Sequence, residues 1–421
     1  MAVEGVSAVQ YRGGVFSIEE VPVGDLAARF GTPLYVYSAS VLEGQYRKLE
    51  ESLGGVARSV LICYALKANA NPVLGGMLAR WGAGADVVSG GELYLAHKMG
   101  FPADKIVFAG VGKTRREMSE ALGAGVHTFH VESRGEMEAL AAVAAEIGKV
   151  AHVAVRVNPD VEADTHPYIT TGTKANKFGV SPAEAMDLIR QASAMASLHP
   201  LGLHAHIGSQ LPRVLPVIES ARRLLEMWDA LASEGIHLTE LDIGGGLGIP
   251  YRPGEQPEGP EKLAAGLRPL LAGRELDLVL EPGRYIVGPA GALLTTVLYV
   301  KQSSDGSEPH NFVVVDAGMN DLLRPSLYNA WHPVWPAQEN AAGNDNVVDI
   351  VGPVCESSDV LAHGRKLGEV QPGDVLTIGQ AGAYGFSMAS NYNGRPRPAE
   401  VLVSGGDARV IREREGYEDL R

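Results

Sequence analysis

The sequence predicts an α/β fold, a (β/α)8 barrel followed by an antiparallel β domain, on three observations. Short β-rich apolar runs alternate with helix-patterned stretches through the first two thirds of the chain, which is the pattern of βαβ units and a parallel sheet. There are eight such runs, the strand number of a closed barrel. Beyond about residue 290 the helical period disappears, and strand-like runs are separated by Gly, Pro, Asn and Asp, as in antiparallel β structure. On pattern alone an open doubly wound sheet also satisfies the first observation.

In chain order the eight runs are 60–65 (VLICYA), 85–88 (ADVV), 106–109 (IVFA), 126–131 (VHTFHV), 151–157 (AHVAVRV), 203–207 (LHAHI), 239–243 (TELDI) and 277–281 (DLVLE). Clear helical stretches lie at 134–148, 181–198 and 214–234. In the second, Ser181 suits an N-cap, Pro182 the first helical position, and Glu184 a capping box. The later strand-like runs are 293–301, 312–316, 347–351, 374–378 and 400–403, with exposed loops expected at 303–310 and 335–346. The segment VFSIEEVPV at 15–23 is expected to add a strand to the β domain. The expected divisions are therefore 1–32, an N-terminal segment packing with the β domain, 33–288, the barrel, and 289–421, the β domain.

Bulk composition narrows the partners. Of 421 residues, 45% are hydrophobic and 20% charged, an ordinary globular balance. A net charge of -14 disfavours nucleic acid and anionic membranes. Two cysteines, Cys63 and Cys355, make no disulfide framework and suit a reducing cytoplasm. The N-terminus lacks a basic start followed by an apolar run, and no stretch is long and apolar enough to suggest a span.

The residues that carry chemistry cluster just after the expected strands, where barrels place their catalytic groups. Lys67 in YALKAN follows the first strand. Flanked by Ala65, Leu66 and Ala68, it suits either an amine desolvated for imine formation or, read alone, a solvated rim lysine. Gly244, Gly245 and Gly246 after the seventh strand suit either a flexible turn or a cradle of amides around a phosphate. Glu281 and Arg284 in EPGR suit a surface ion pair, or a ring-nitrogen partner and a carboxylate clamp. His204 and His206 in HAHIGSQ alternate along the expected sixth strand and so face one side. No carboxylate or cysteine accompanies them at ligand spacing, so no metal is expected; a core histidine or an imidazole stacked on a flat cofactor remain. Cys355 in VCESSD is a small buried thiol or a proton donor, and Glu356 beside it suits a cationic group.

Taken together these segments resemble the fold-type III pyridoxal-phosphate decarboxylases, the family of the ornithine and diaminopimelate decarboxylases. The resemblance runs through YALKAN (64–69), HPYITTGTKANKFGV (166–180), HAHIGSQ (204–210), GGGLG (244–248), EPGR (281–284), DAGMNDLLRPSLYNAWHP (316–333), GPVCESSD (352–359) and GAYGFSMASNYNGRPRPAEVLV (382–403), in order over nearly the whole chain. It is closer to the diaminopimelate branch: CESSD carries a glutamate where the ornithine enzymes resemble each other in an aspartate. Ser358 differs from the glycine common at that place.

The resemblance implies pyridoxal 5'-phosphate held covalently by Lys67, with His206 stacked on its ring and Glu281 on its nitrogen. Gly244, Gly245, Gly246, Gly283, Arg284 and Ser209 would hold the phosphate, and Tyr384 would touch phosphate and substrate. Arg284, Arg324, Tyr328 and Glu356 would bind meso-diaminopimelate, and Cys355 would be the proton donor, supplied across a homodimer with shared sites. The implied reaction is release of carbon dioxide to give L-lysine. Rival readings are an ornithine, arginine or carboxynorspermidine decarboxylase, a racemase, and a non-catalytic relative. Against the racemase stands the carboxylate Glu281 where such enzymes use an arginine; against the last stands the full set of lysine, cysteine and glycines.

Overall fold

The computed structural model describes residues 8–161, 177–302, 311–339 and 347–420. They fall into two compact units, Tyr46–Ile249 with Gln256–Tyr285, and Met1–Gln45 with Pro250–Glu255 and Ile286–Arg421.

The first unit contains a closed eight-stranded parallel barrel. Its strands are β1 (Ser59–Ala65), β2 (Gly84–Val87), β3 (Ile106–Phe108), β4 (Thr128–Val131), β5 (Ala151–Arg156), β6 (Leu198–His204), β7 (Glu240–Asp242) and β8 (Asp277–Leu280). Each pairs with its sequence neighbours, and β8 closes on β1 through Asp277–Leu280 against Ser59–Ile62. The near-continuous burial of these strands is what a parallel sheet covered by helices requires. Closure excludes the open doubly wound alternative.

Seven strands lie where the apolar runs predict them. β6 does not: it begins at Leu198 and ends at His204, five residues ahead of the expected start. Pro200 and Gly202 break the apolar signal there, and the ladder shifts register between them. Gly202 lies so close to β7 that a Cβ would stand 1.9 Å from the Glu240 carbonyl oxygen. His206 therefore lies beyond the strand and does not share a strand face with His204. Helix 182–194 keeps the hydroxyl half of the expected box, Ser181 Oγ accepting from the Glu184 amide. The complete reciprocal box belongs to Thr114 and Glu117.

The second unit holds the expected β domain. Its large sheet is built on the long strand Gly291–Gln302, which pairs antiparallel with Leu34–Ser38, Asn311–Val315 and Val375–Ile378. Segment 15–23 joins a separate three-stranded sheet, Val9–Arg12, Val15–Ile18 and Val21–Pro22. The N-terminal strand that enters the large sheet is Leu34–Ser38, flanked by Gly291–Leu294 and Ala399–Val403. The expected division at 32/33 thus lies inside this unit. Phe16, Ile18, Leu26, Leu34, Val36, Leu294, Val401 and Val403 form one buried cluster, with Phe16 stacked on Trp335 at 4.9 Å. Part of the expected 335–346 loop is instead the short strand Val334–Pro336. The 303–310 loop, residues 340–346 of that loop and most of the 166–180 motif lie outside the described residues.

Candidate active site

The C-terminal rim of the barrel gathers most of the predicted residues. After β1 the chain enters a single 3-10 turn, Leu66–Ala68, that presents Lys67. The turn is anchored on both sides: Tyr64 Oη donates to the Asn69 carbonyl at 2.9 Å, and Asn71 Oδ1 caps the next helix through the Val73 amide. Leu66 and Ala68 are buried, but the Lys67 side chain is 40% exposed and its Nζ lies 2.5 Å from Asp86 Oδ2. Of the two readings of Lys67, the partly solvated rim lysine matches this exposure, and its first neighbour is a carboxylate. Asp86 ends the inward face of β2 and is fully buried; burial raises its carboxyl above the usual range while Lys67 pulls the other way.

The glycines after β7 are required by close backbone approach. Gly244 and Gly246 have φ of +66° and +110°, and a Cβ at Gly245 would lie 2.3 Å from the Glu281 carbonyl oxygen. Two of the three amides are turned into the protein, Gly244 N donating to Asp242 Oδ1 and Gly245 N to His206 Nδ1. That bond also fixes the His206 tautomer, with its proton on Nε2. Burial and then Arg156 lower the His206 pKa to about 3, so the ring is neutral. Ser209 Oγ accepts from Arg284 Nη2 at 3.4 Å.

Glu281 follows β8 and points into the barrel, with 6% exposure. His130 Nδ1 lies 3.1 Å from its Oε1, and His204 Nε2 lies 3.3 Å from its Oε2. The other nitrogen of His130 meets Asp242 Oδ2 at 3.3 Å, and the two imidazoles stack at 4.1 Å. These approaches are close, but neither ring is aligned for a straight hydrogen bond. Burial alone would raise Glu281, yet His204 and His130 hold its carboxyl well below the usual range. Burial and then the charge on Glu281 push Asp242 well up, and burial takes His204 down to about 3. The expectation that His204 has no carboxylate company is also corrected: Asp242 and Glu281 come from other strands, and the ligand atoms of all four lie within 4.8 Å. Beside them Arg156 pairs with Glu132 at 3.0 Å.

In the second unit, Arg324 opens the short helix Arg324–Tyr328 and is buried. Its Nη1 meets His332 Nε2 at 2.8 Å, and His332 Nδ1 donates to the Gly379 carbonyl at 2.9 Å. Tyr328 is half-buried, and Tyr384 takes a left-handed backbone, φ +56°. Cys355 and Glu356 are both exposed, correcting the picture of a small buried thiol. Asp359 anchors their loop, accepting from Val354 and Met319 amides, and the Ser358 carbonyl accepts from Ser326 Oγ. Cys355 N donates to Asn393 Oδ1 at 2.9 Å, and Tyr392 Oη donates to Glu356.

Asp86, His130, Arg156 and Asp242 escaped the sequence reading. Each is a polar letter inside a run read as a strand, and only inward orientation at a strand's last residues marks it.

A barrel rim with an amine, a glycine-lined loop, a neutral imidazole and a buried carboxylate defines the class. The chain belongs to the pyridoxal-dependent decarboxylases, whose pyridoxal binding domain matches residues 40–288. Within that class the similarity is to diaminopimelate decarboxylases. It is 49% identical over 416 residues to the one from Pseudomonas fluorescens, covering 99% of this chain and 98% of the relative. For that of Aquifex aeolicus identity is 47%, over 97% and 96%. The structure of the M. jannaschii diaminopimelate decarboxylase in complex with L-lysine superposes with a TM-score of 0.92 at 41% identity, covering 98% of this chain and 96% of that one.

The cofactor of this family is pyridoxal phosphate, and the residues present fit it. The fit rests on Glu281, a buried carboxylate at the end of β8, and on a rim loop where any side chain would strike backbone. Among the described residues no helix is long and apolar enough to cross a membrane.

Proposed function

We infer that this chain decarboxylates meso-2,6-diaminopimelate to L-lysine and carbon dioxide with pyridoxal 5'-phosphate, the last step of lysine formation. The observation that carries the reading is the full-length likeness to diaminopimelate decarboxylases together with one barrel rim that presents Lys67, the glycine loop and Glu281. When bound, the cofactor supplies a conjugated ring that accepts the electron pair left by departing carbon dioxide.

The protein's own residues bind, orient and move protons. Lys67 would hold the cofactor, with Asp86 fixing the lysine side chain, and the neutral His206 ring would support its ring. Gly244 and Gly245 amides are engaged within the protein, so the loop's phosphate donor is the Gly246 amide, joined by those of Gly283 and Arg284 and by Ser209 and Tyr384. Gly244 and Gly245 shape the cradle through their backbone. Glu281 keeps a proton on the ring nitrogen.

Substrate choice follows from the far end of the molecule. Arg324, Tyr328 and Arg284 meet carboxylate, and Glu356, steadied by Tyr392, meets the distal ammonium. Ornithine has no distal carboxylate and would leave the buried arginine without the anion it serves, at a cost of about 3–5 kcal/mol. Cys355 returns the proton to carbon. It and Glu356 stand exposed, which supports a homodimer whose active sites are completed by the partner. The compartment that suits two unpaired cysteines is the cytoplasm.

The test offers meso-diaminopimelate, ornithine, arginine and carboxynorspermidine separately to the cofactor-loaded protein and follows carbon dioxide. Release from diaminopimelate at least about 100-fold above the others is expected. Faster release from any of the other three would replace the reading.

A further inference from the structure

We propose that Asp242, His130 and Glu281 form a proton-sharing relay inside the barrel, in which His130 holds Glu281 as an aimed carboxylate for the cofactor's ring nitrogen. His130 and Asp242 are then positioning residues of the reaction. The proposal rests on the reading of Glu281 given above.

One imidazole meets a carboxylate at each of its two nitrogens. His130 Nδ1 meets Glu281 Oε1 at 3.1 Å and His130 Nε2 meets Asp242 Oδ2 at 3.3 Å, and all three side chains are buried. At such distances in a low-dielectric interior, two lone pairs repel unless a proton lies between them. Two contacts therefore require two protons, and the three groups together carry one negative charge. His204 stacks on His130 and faces the second oxygen of Glu281 through Nε2. Asp242 is itself held at Oδ1 by the Gly244 amide, at 2.7 Å. The carboxylate nearest the cofactor is thus fixed from the glycine loop through an imidazole. Ordinary core packing would need neither the second carboxylate nor a nitrogen facing each.

This proton count makes a prediction that a merely space-filling His130 does not. A glutamine amide has one donor end and one acceptor end. In H130Q the donor end satisfies Glu281, and the acceptor end is satisfied only while Asp242 keeps a proton that the imidazole no longer helps to hold. In D242N the asparagine amide donates to His130 Nε2, leaving Nδ1–H for Glu281, and its carbonyl still accepts from Gly244. In the double variant the donors again run in one direction, from asparagine to glutamine to Glu281.

The experiment titrates each apo protein with pyridoxal phosphate by absorbance and records the thermal midpoint of the apo form. H130Q is expected to weaken cofactor binding about 10–100-fold, D242N by less than about threefold, and H130Q/D242N to return to within about threefold of the parent. Thermal midpoints follow the same order. Unchanged binding in H130Q, or losses that add in the double variant, overturns the relay; so does a metal ion found by elemental analysis at the four-residue set. If H130Q is not recovered folded, recovery of the double variant with parental binding supports the relay and its failure to fold overturns it. E281Q separates the premise: unchanged cofactor binding and absorbance in that variant sinks the reading of Glu281 itself, whatever H130Q does.

Discussion

Asp86 lies 2.5 Å from the Lys67 amine with no exposure of its own, so D86N removes a charge-assisted contact without opening a cavity. Turnover is expected to fall about 10–100-fold, measured as kcat with saturating cofactor. The two exposed neighbours Glu356 and Cys355 separate by kinetics. E356Q raises KM for diaminopimelate about tenfold with kcat nearly unchanged, because it removes binding felt equally before and during reaction. C355A lowers kcat about 100-fold with little change in KM. His206 gives a pH signature in the apo protein. Its folded-state pKa is about 3, so below its ordinary pKa of about 6.5 the unfolded chain takes up a proton that the folded one does not. Stability from this group is present at neutral pH and lost as pH falls. The stability difference between the parent and H206N is expected to shrink by about 1–2 kcal/mol from pH 7 to pH 5, read by urea unfolding.

At the scale of elements, the loops after β6, β7 and β8 meet through backbone, and a side chain has no room there. In G245A the added Cβ, 2.3 Å from the Glu281 carbonyl oxygen, must push the loops after β7 and β8 apart. Cofactor affinity is expected to drop at least about tenfold although the methyl touches no ligand, as absorbance titration would register. Thr114→Ala removes one side of the reciprocal cap on helix 115–124 and costs about 1–2 kcal/mol by thermal unfolding. Legibility follows the same division. Lys67, the glycines and Glu281 stand in short unusual strings at strand ends and are readable there. The partners that set their chemistry, Asp86, His130, Arg156 and Asp242, come from strands far apart in sequence and meet only when the barrel closes. The surroundings of Lys67 stay open in the sequence for that reason: its sequence neighbours are apolar, its spatial neighbour is Asp86. Likewise β6 hid its start behind Pro200 and Gly202, whose lack of side-chain signal is the means by which it packs on β7.

For the whole molecule, alternation of apolar runs with helical stretches was enough to foresee the barrel, and loss of that alternation after residue 290 enough to foresee the β domain. The role of the N-terminus was less legible, because a lone strand such as Leu34–Ser38 carries no sign of which sheet will take it. Assembly gives a prediction at this scale. If each active site takes Lys67 from one copy and Cys355 from another, K67A and C355A are each inactive. Mixed and re-paired, they regain roughly a quarter of parental activity. No recovery after subunit exchange would mean that sites are complete within one copy. The most direct measurement of the central claim is chemical. The protein is loaded with pyridoxal phosphate, reduced with borohydride, digested, and its peptides weighed. One phosphopyridoxyl group on the peptide bearing Lys67, lost in K67A, is the predicted result; a label on another lysine, or none at cofactor saturation, would contradict the account.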